Sequence, residues 1–541
     1  MAVGSWWWRV GRPFSGRTWP RPADVVWWPI LLAGIIVLAA VVRLYDIGAN
    51  PPGFFADEAA YGYNAYTILH SGKDEFGRTL PLFFESFGDY KTPVYIYSLV
   101  PFVAALGLTE VAVRLTSAVY GILTVLALYV LVQELFRQRY LSLTAALMLA
   151  MSPWHIHFSR TGFGEITVHA FFLVLALYLF ALGVRRPMFL PAAALSIILA
   201  LYSYRAAWVL TPPLLLCLFT LYYQELVRHW RYATMAAAML ALACIPILLL
   251  VLNVDERAQD RSILTLDLGT WGTLERFIEH YVSYFRPSFL LDGSADQNLR
   301  HVIPGQGWIY SWQVPFAAFG AAALAWKPTR PKLLVLALIL IFPLAGAVTV
   351  ESPASTRALF GSVAFAIVTA YGLMTAVRLL RSWQPSRRYA FVGAGGAAAL
   401  LAGVVILGTV QFASFLDTYH GSYQEIASGG NGWQWGGRAI VERFLEVEDD
   451  YDRLWIDGGA FNRPDIFIRF YAPDGCRNCH VTHEVRFQPD LRHFYALRSG
   501  APWFEVVEAY AESRGLLLDR SGETIIVFSE VPVGISDPVL R

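Results

Sequence analysis

Asp57 and Glu58 sit side by side in the stretch FFADEAAYGYNAY (residues 54–66), a few residues past a long apolar run. Paired acids there suit general-base work on a hydroxyl, although a solvated loop end explains them as well. The same polar segment carries GDYKTPVYIY, which sets Lys91 directly before another apolar stretch. Only four of the 42 basic residues are lysines (Lys73, Lys91, Lys327 and Lys332), so a lysine in this place stands out. A carboxylate and an ammonium at one membrane surface fit a reaction that needs a base and an anion clamp; the competing reading of Lys91 is a side chain reaching for lipid headgroups. Further along, SPWHIHFSRTGFGE gathers His155, His157, Arg160 and Glu165. The His-x-His pair has no third ligand at convincing spacing, so these histidines read as packing or interface residues and no metal site is expected. Arg160, Glu165, Arg205 in ALYSYRAAW and Arg357 in ESPASTRALF each lie near the end of an apolar segment, where an ionised group is costly unless paired or working. Such cations together would hold a phosphate, and headgroup contact accounts for any one of them alone.

The elements that position these residues are membrane helices. The 541 residues are 56% hydrophobic and 15% charged with a mean hydropathy of +0.46, which describes a polytopic membrane protein rather than a soluble domain. The net charge of +1 gives no basic field for nucleic acid. Apolar segments near 27–47, 111–136, 141–153, 166–184, 188–204, 207–224, 232–252, 308–326, 332–349, 358–380 and 390–413 make about eleven transmembrane helices. The first is read as a retained span behind a basic, tryptophan-rich segment 1–26, because no small-residue cleavage site follows it. Arginines and lysines fill every second loop, which predicts an N-terminus inside and the loops 48–110 and 253–307 outside. Residues 93–108, apolar but short, are expected as an interfacial or re-entrant helix. From residue 414 the texture turns mixed. GGRAIVERFLEVEDD and PWFEVVEAYAES read as helices, and DRLWID, FIRFYA, HFYAL and TIIVFSEV as strands, of a small extracytoplasmic α/β domain over 414–541.

DEAAYGYNAYTILHSGKDEFG, GDYKTPVYIY and LTEVAVRLTSAVYGILTVLALYVLVQELF, followed by SPWHIHFSR, LYSYRAAW, YFRPSFLLDG, NLRHVIPGQGWIY and SPASTRALFG, resemble in order and placement the bacterial membrane glycosyltransferases of the protein-mannosyltransferase and lipid A aminoarabinose-transferase type. The resemblance covers most of residues 27–413 and implies the type C glycosyltransferase superfold. It implies Asp57 as the catalytic carboxylate with Glu58 beside it, Lys91 as a contact to the donor's phosphate, and Glu165 as a second acid where relatives usually hold Asp. Arg160, Arg205 and Arg357 would share the phosphate clamp, the more so because Ala60 stands where relatives often carry arginine. Tyr61, Tyr90, Arg300 and His301, in the same matching segments, are expected as substrate contacts.

The implied activity moves a sugar from a polyprenyl-phosphate donor to a hydroxyl of a protein, lipid or glycan on the outer face of the cell membrane, with Asp57 as general base. No cofactor is required; a divalent metal is compatible with the scheme but not demanded, since lysine and arginine supply positive charge. A transporter or flippase for a lipid-linked saccharide is the alternative. CRNCH (476–480) matches a haem-attachment pattern, but a local disulfide or an adventitious metal site suits Cys476 and Cys479 better in an oxidising exterior.

Overall fold

The computed structural model describes residues 22–253, 269–296, 298–383, 390–428, 432–458, 461–482, 493–498, 517–519 and 525–529. The expected cytoplasmic segment 1–26 and helix PWFEVVEAYAES lie wholly or largely outside them. All eleven apolar segments read from the sequence are helical. The chain runs through α1 (Pro22–Leu44), α2 (Ala56–Ser71), the hairpin β1 (Phe84–Ser86) and β2 (Asp89–Lys91), α3 (Pro93–Leu106), α4 (Glu110–Phe136), α5 (Arg139–Ala150), α6 (Pro153–Ser159), α7 (Gly164–Gly183), α8 (Leu190–Leu201), α9 (Ala206–Arg228) and α10 (Trp230–Asn253). It continues through α11 (Gly269–Ser283), α12 (Gln313–Ala325), α13 (Arg330–Ile341), α14 (Phe360–Ser382) and α15 (Ala390–His420).

Eight of these helical stretches are long and apolar enough to cross a membrane; the helices at 141–153, 188–204 and 308–326 are shorter. With 12 residues α5 rises roughly 18 Å, less than the ~30 Å hydrocarbon layer. It is nevertheless one piece of a longer traverse. Glu134 near the end of α4 pairs with Arg137 and with Arg185 just past α7, which fixes one rim. At the opposite rim the amide of Gly162 donates to Glu58 and Thr92 donates to the Ser203 carbonyl. Residues 139–162 therefore run from one rim to the other through α5 and α6, and 187–203 do so through α8. The expected interfacial helix is α3, 14 residues packed on α2 and α4 at the rim that carries Asp57.

The tail contributes α16 (Gly437–Val447), β3 (Arg453–Asp457), α17 (Pro464–Tyr471), β4 (Cys479–Thr482), β5 (His493–Arg498), β6 (Leu517–Asp519) and β7 (Ile525–Ser529), with sheet order β4-β3-β5-β7-β6. The strands β4 and β5 pair parallel with β3, and β7 antiparallel with β5 and β6. One expectation is corrected here: FIRFYA is not a strand but the body of α17. Pro464 presets the first turn, and Ile466, Phe467 and Phe470 bury one helical face. That face meets α2, with the Phe54 and Phe470 ring centres 4.8 Å apart and Arg469 bonded to Glu75 at 3.1 Å. Cys476 and Cys479 form a disulfide.

A buried arginine ties the first loop together. Arg114, in the first turns of α4, donates to the carbonyls of Ile47, Gly48, Pro51 and Gly53 and pairs with Glu58 at 3.4 Å, both side chains fully excluded from solvent. Glu58 also accepts from Phe55 N at 2.9 Å and Gly162 N at 2.5 Å. Removing one member leaves the other buried and uncompensated, which typically costs about 3–5 kcal/mol. Arg114→Met is expected to destabilise the protein by an amount of that order, read as a lower thermal unfolding temperature, and the double change with Glu58→Met to recover a substantial part; additive losses in a double-mutant cycle would contradict the coupling.

Candidate active site

Successive helical residues are rotated by about 100°, so the two acids at the start of α2 cannot face the same way. Glu58 points into the protein toward Arg114. Asp57 points out, with its side chain 26% exposed, and meets Lys91 Nζ at 2.8 Å. Both acids stand in the first turn, where the helix dipole favours negative charge. Of the two acids expected to be catalytic, Glu58 is thus the one enclosed among protein partners. Every close contact it makes serves the fold, and burial pushes its carboxyl up while Arg114 and the two backbone amides pull it back.

The hairpin supplies the cation. Phe87 and Gly88 both have positive φ, the signature of a two-residue turn matched to strand twist, and this brings Lys91 alongside Asp57. Arg205, at the entrance to α9, grips the hairpin from the other side through Asp89 Oδ1 at 2.5 Å and the Tyr90 carbonyl at 2.6 Å. Tyr90 thus contributes backbone to this latch. One turn after Asp57, the Tyr61 hydroxyl donates to Glu165 in the first turn of α7, and Lys91 Nζ lies 5.6 Å from the Tyr61 ring centre. Arg300 arrives from the loop before α12, its guanidinium 4.0 Å above the Phe55 ring and its Nη1 donating to the Gly432 carbonyl at 3.0 Å. Burial pushes that guanidinium down, and nearby Asp57 offsets part of the effect. Asp57, Lys91, Tyr61, Glu165, Tyr90, Arg205 and Arg300 therefore share one corner of the rim.

Two expected phosphate ligands are elsewhere. Arg160 is buried, donating to the carbonyls of Val42 at 2.9 Å and Asn50 at 3.0 Å and lying over the Tyr419 ring. Its bonds close the C-terminal end of α1, whose last carbonyls lack helical partners. Arg357 belongs to a neighbouring cluster, with its guanidinium 3.0 Å from Thr349 and 3.3 Å from Glu351. His301 stands between that cluster and the corner, with Nδ1 3.9 Å from Asp296 and its ring 6.3 Å from Phe163. Ala60 is packed in the apolar cluster that α2 shares with α17.

His155 and His157 do not form a metal pair. His155 Nδ1 accepts from Arg43 at 2.9 Å, and His157 Nε2 donates to the Arg300 carbonyl at 2.8 Å. Among the described residues no group of three His, Cys, Asp or Glu side chains is arranged to hold a metal ion. Sequence reasoning passed over Arg114 and Asp89, the partners that fix Glu58 and Arg205. Arg114 was visible as an arginine lodged inside the apolar run LTEVAVRLTSAVYG.

Residues 90–249 match the family model of the dolichyl-phosphate-mannose-protein mannosyltransferases. ArnT from Cupriavidus metallidurans bound to undecaprenyl phosphate superposes with a TM-score of 0.55 at 12% identity, covering 94% of this chain and 98% of that one. The oligosaccharyltransferase AglB from Archaeoglobus fulgidus, in complex with an inhibitory peptide and a dolichol-phosphate, superposes with a TM-score of 0.50 at 15% identity over 84% of this chain. The chain has the type C glycosyltransferase fold. It spans 64% of the AglB chain and nearly all of ArnT, so its architecture matches a whole chain of the shorter protein. No curated protein sequence matches it. The resemblance read from the motifs is the one these comparisons return, and in this fold the Asp57 corner lies at the membrane rim.

A histidine in the loop before α12 makes this scaffold acid-sensitive. Burial, with Arg300 beside it, holds His301 down at about 3 against an unfolded value near 6.5. Below pH 6.5 the unfolded chain takes up this proton first, so the stability that a neutral His301 allows is present above 6.5 and declines toward pH 3. It accounts for about 2 kcal/mol between pH 7 and 5. The fall in thermal unfolding temperature between pH 7 and pH 5 should shrink in His301→Phe; an unchanged fall would show that His301 does not titrate in this way.

Proposed function

We propose that the protein transfers a glycosyl group from a polyprenyl-phosphate donor to a hydroxyl acceptor on the outer face of the membrane. The observation that carries this reading is the Asp57–Lys91 contact of 2.8 Å, a carboxylate and an ammonium held together at one corner of a type C glycosyltransferase fold. The ammonium has three donors, one of which is on Asp57, leaving two for phosphate oxygens.

In a single inverting displacement the acceptor oxygen bonds to the anomeric carbon as its proton passes to Asp57, and the bond from that carbon to the phosphate oxygen breaks. The polyprenyl phosphate leaves with the bonding pair, its growing charge met by Lys91 with Arg205 behind it. Tyr61 and Glu165 flank the base, and Arg300 closes the side toward the tail. The orientation rests on loop charge: Arg137, Arg139, Arg185, Arg186, Arg228, Arg231, Lys327, Arg330 and Lys332 gather at or near the rim away from Asp57, as a cytoplasmic face requires. This supports a cytoplasmic N-terminus and an extracytoplasmic tail domain over 414–541. The donor sugar, hexosyl or pentosyl, is set by contacts that substrate would complete.

Asp57→Asn should keep the fold and donor binding but lower kcat by about 10²–10⁴-fold, the usual loss when a general base is removed. Wild-type turnover in that variant would remove Asp57 from the mechanism. Lys91→Ala is expected to weaken donor binding and slow transfer together, measured by single-turnover kinetics with labelled donor; an unchanged donor affinity would exclude Lys91 as the phosphate contact.

A further inference from the structure

In the loop between α10 and α12, the helix α11 leaves one flank uncovered. Trp271 is 82% exposed, Leu274, Ile278 and Val282 are each close to half exposed, and Phe285 continues the row just past the helix. Steps of three and four residues, at about 100° per residue, put these side chains on a single stripe. Glu275, Arg276 and Glu279 occupy the adjoining flank, with Arg276 and Glu279 paired at 3.4 Å. His280 and Ser283 are buried, and the helix packs against the short helix Leu344–Ala347. One face of α11 thus rests on the protein while a row of hydrocarbon side chains turns away from it.

Depth decides what lies against that stripe. The Tyr281 hydroxyl donates to the Leu340 carbonyl at 2.8 Å. Leu340 belongs to the membrane span Arg330–Ala347, whose basic end carries Lys327, Arg330 and Lys332 and lies at the rim away from Asp57. The Ala347 end is therefore at the Asp57 rim, and Leu340 lies two helical turns short of it, about 10 Å down at 1.5 Å per residue. That depth is inside the ~30 Å hydrocarbon layer. Phe285 packs on Phe342 of the same span with ring centres 5.4 Å apart and on Tyr281 at 5.8 Å, and Leu340 is itself 60% exposed. Through Tyr281 and Phe285 the stripe on α11 continues the lipid-facing surface of a transmembrane helix. At that level the medium outside the protein is acyl chain. An apolar stripe bordered by charge, with a tryptophan at its far end, is also the pattern of a helix lying in the plane of a membrane interface.

We propose that α11 is an interfacial helix seated in the leaflet on the Asp57 side, with its stripe of Trp271, Leu274, Ile278 and Val282 covered by lipid acyl chains. This holds whether or not the protein is a transferase. It tethers to the bilayer the loop that brings Arg300 to the Asp57 corner. The test uses full-length protein in which the free cysteines Cys217 and Cys244 are replaced by alanine. Nitroxide labels are attached one at a time in Leu274→Cys, Ile278→Cys, Val282→Cys, Glu275→Cys and Glu279→Cys, and each protein is reconstituted in phosphatidylcholine bilayers. These side chains are exposed, so the labels displace no packing. EPR power saturation should show labels at 274, 278 and 282 relaxed by oxygen in preference to a water-soluble nickel chelate, by a ratio roughly threefold or more above that at 275 and 279. Nickel access along the stripe equal to that at 275 and 279 would place it in water, and exclusion of both reagents would place it under protein, a second copy included; either result overturns the proposal. Adding phosphatidylglycerol should leave the pattern unchanged, because the flanking Glu275, Arg276 and Glu279 are net acidic. A stripe that reaches oxygen only when the anionic lipid is present would assign the contact to headgroups and overturn the acyl-chain assignment.

Discussion

The contact on which the site depends is the buried pair of Arg114 and Glu58. Between α1 and α2 the chain turns over through residues 45–55, and many of its carbonyls face inward, away from water. A buried carbonyl without a partner is costly, and here the partners are arginines: Arg114 takes four carbonyls between Ile47 and Gly53, while Arg160 takes those at the end of α1 and at Asn50. The buried Arg114 guanidinium needs negative charge in return, and Glu58 supplies it. The glutamate also receives the amides of Phe55 and Gly162, so α1, α2, α4 and the α6–α7 corner are fixed through one carboxylate.

Asp57 is placed by that arrangement. Because Glu58 is committed inward, helical rotation sends its neighbour outward, at a fixed angle, toward the hairpin. The hairpin is held independently by Arg205 and by Thr92 on the Ser203 carbonyl. The two halves of the Asp57–Lys91 contact thus belong to separately braced elements, which is the rigidity a site needs if its charges are to meet a phosphate without reorganising.

Much of this was legible in the sequence. Hydropathy located all eleven helical segments, and the scarcity of lysine singled out Lys91. It could not divide Asp57 from Glu58, because adjacency in sequence says nothing about which residue starts the helix, and that start decides where each side chain points. Arg160 looked like an anion ligand because a charge near a membrane segment is costly unless satisfied; its satisfaction comes from backbone carbonyls of α1, more than a hundred residues away, which no local pattern reveals. FIRFYA alternates like a strand over a few residues, while Pro464 and the spacing of Ile466, Phe467 and Phe470 are helical once the window is widened. The contact of Gln434 with Ala56 joins residues 378 positions apart and had no sequence signal at all.

Covalent transfer at this corner, as proposed, differs from passage of a lipid-linked sugar in what becomes of the bond between sugar and phosphate. The most direct measurement places the purified protein in sealed liposomes with polyprenyl-phosphate sugars labelled in the sugar, adds hydroxyl acceptors on the outer side, and follows both the chemical form and the leaflet of the label. Label should leave the lipid for an acceptor hydroxyl with inverted anomeric configuration, and polyprenyl phosphate should be released. Label that changes leaflet while still attached to its lipid, with no free polyprenyl phosphate formed, would contradict it.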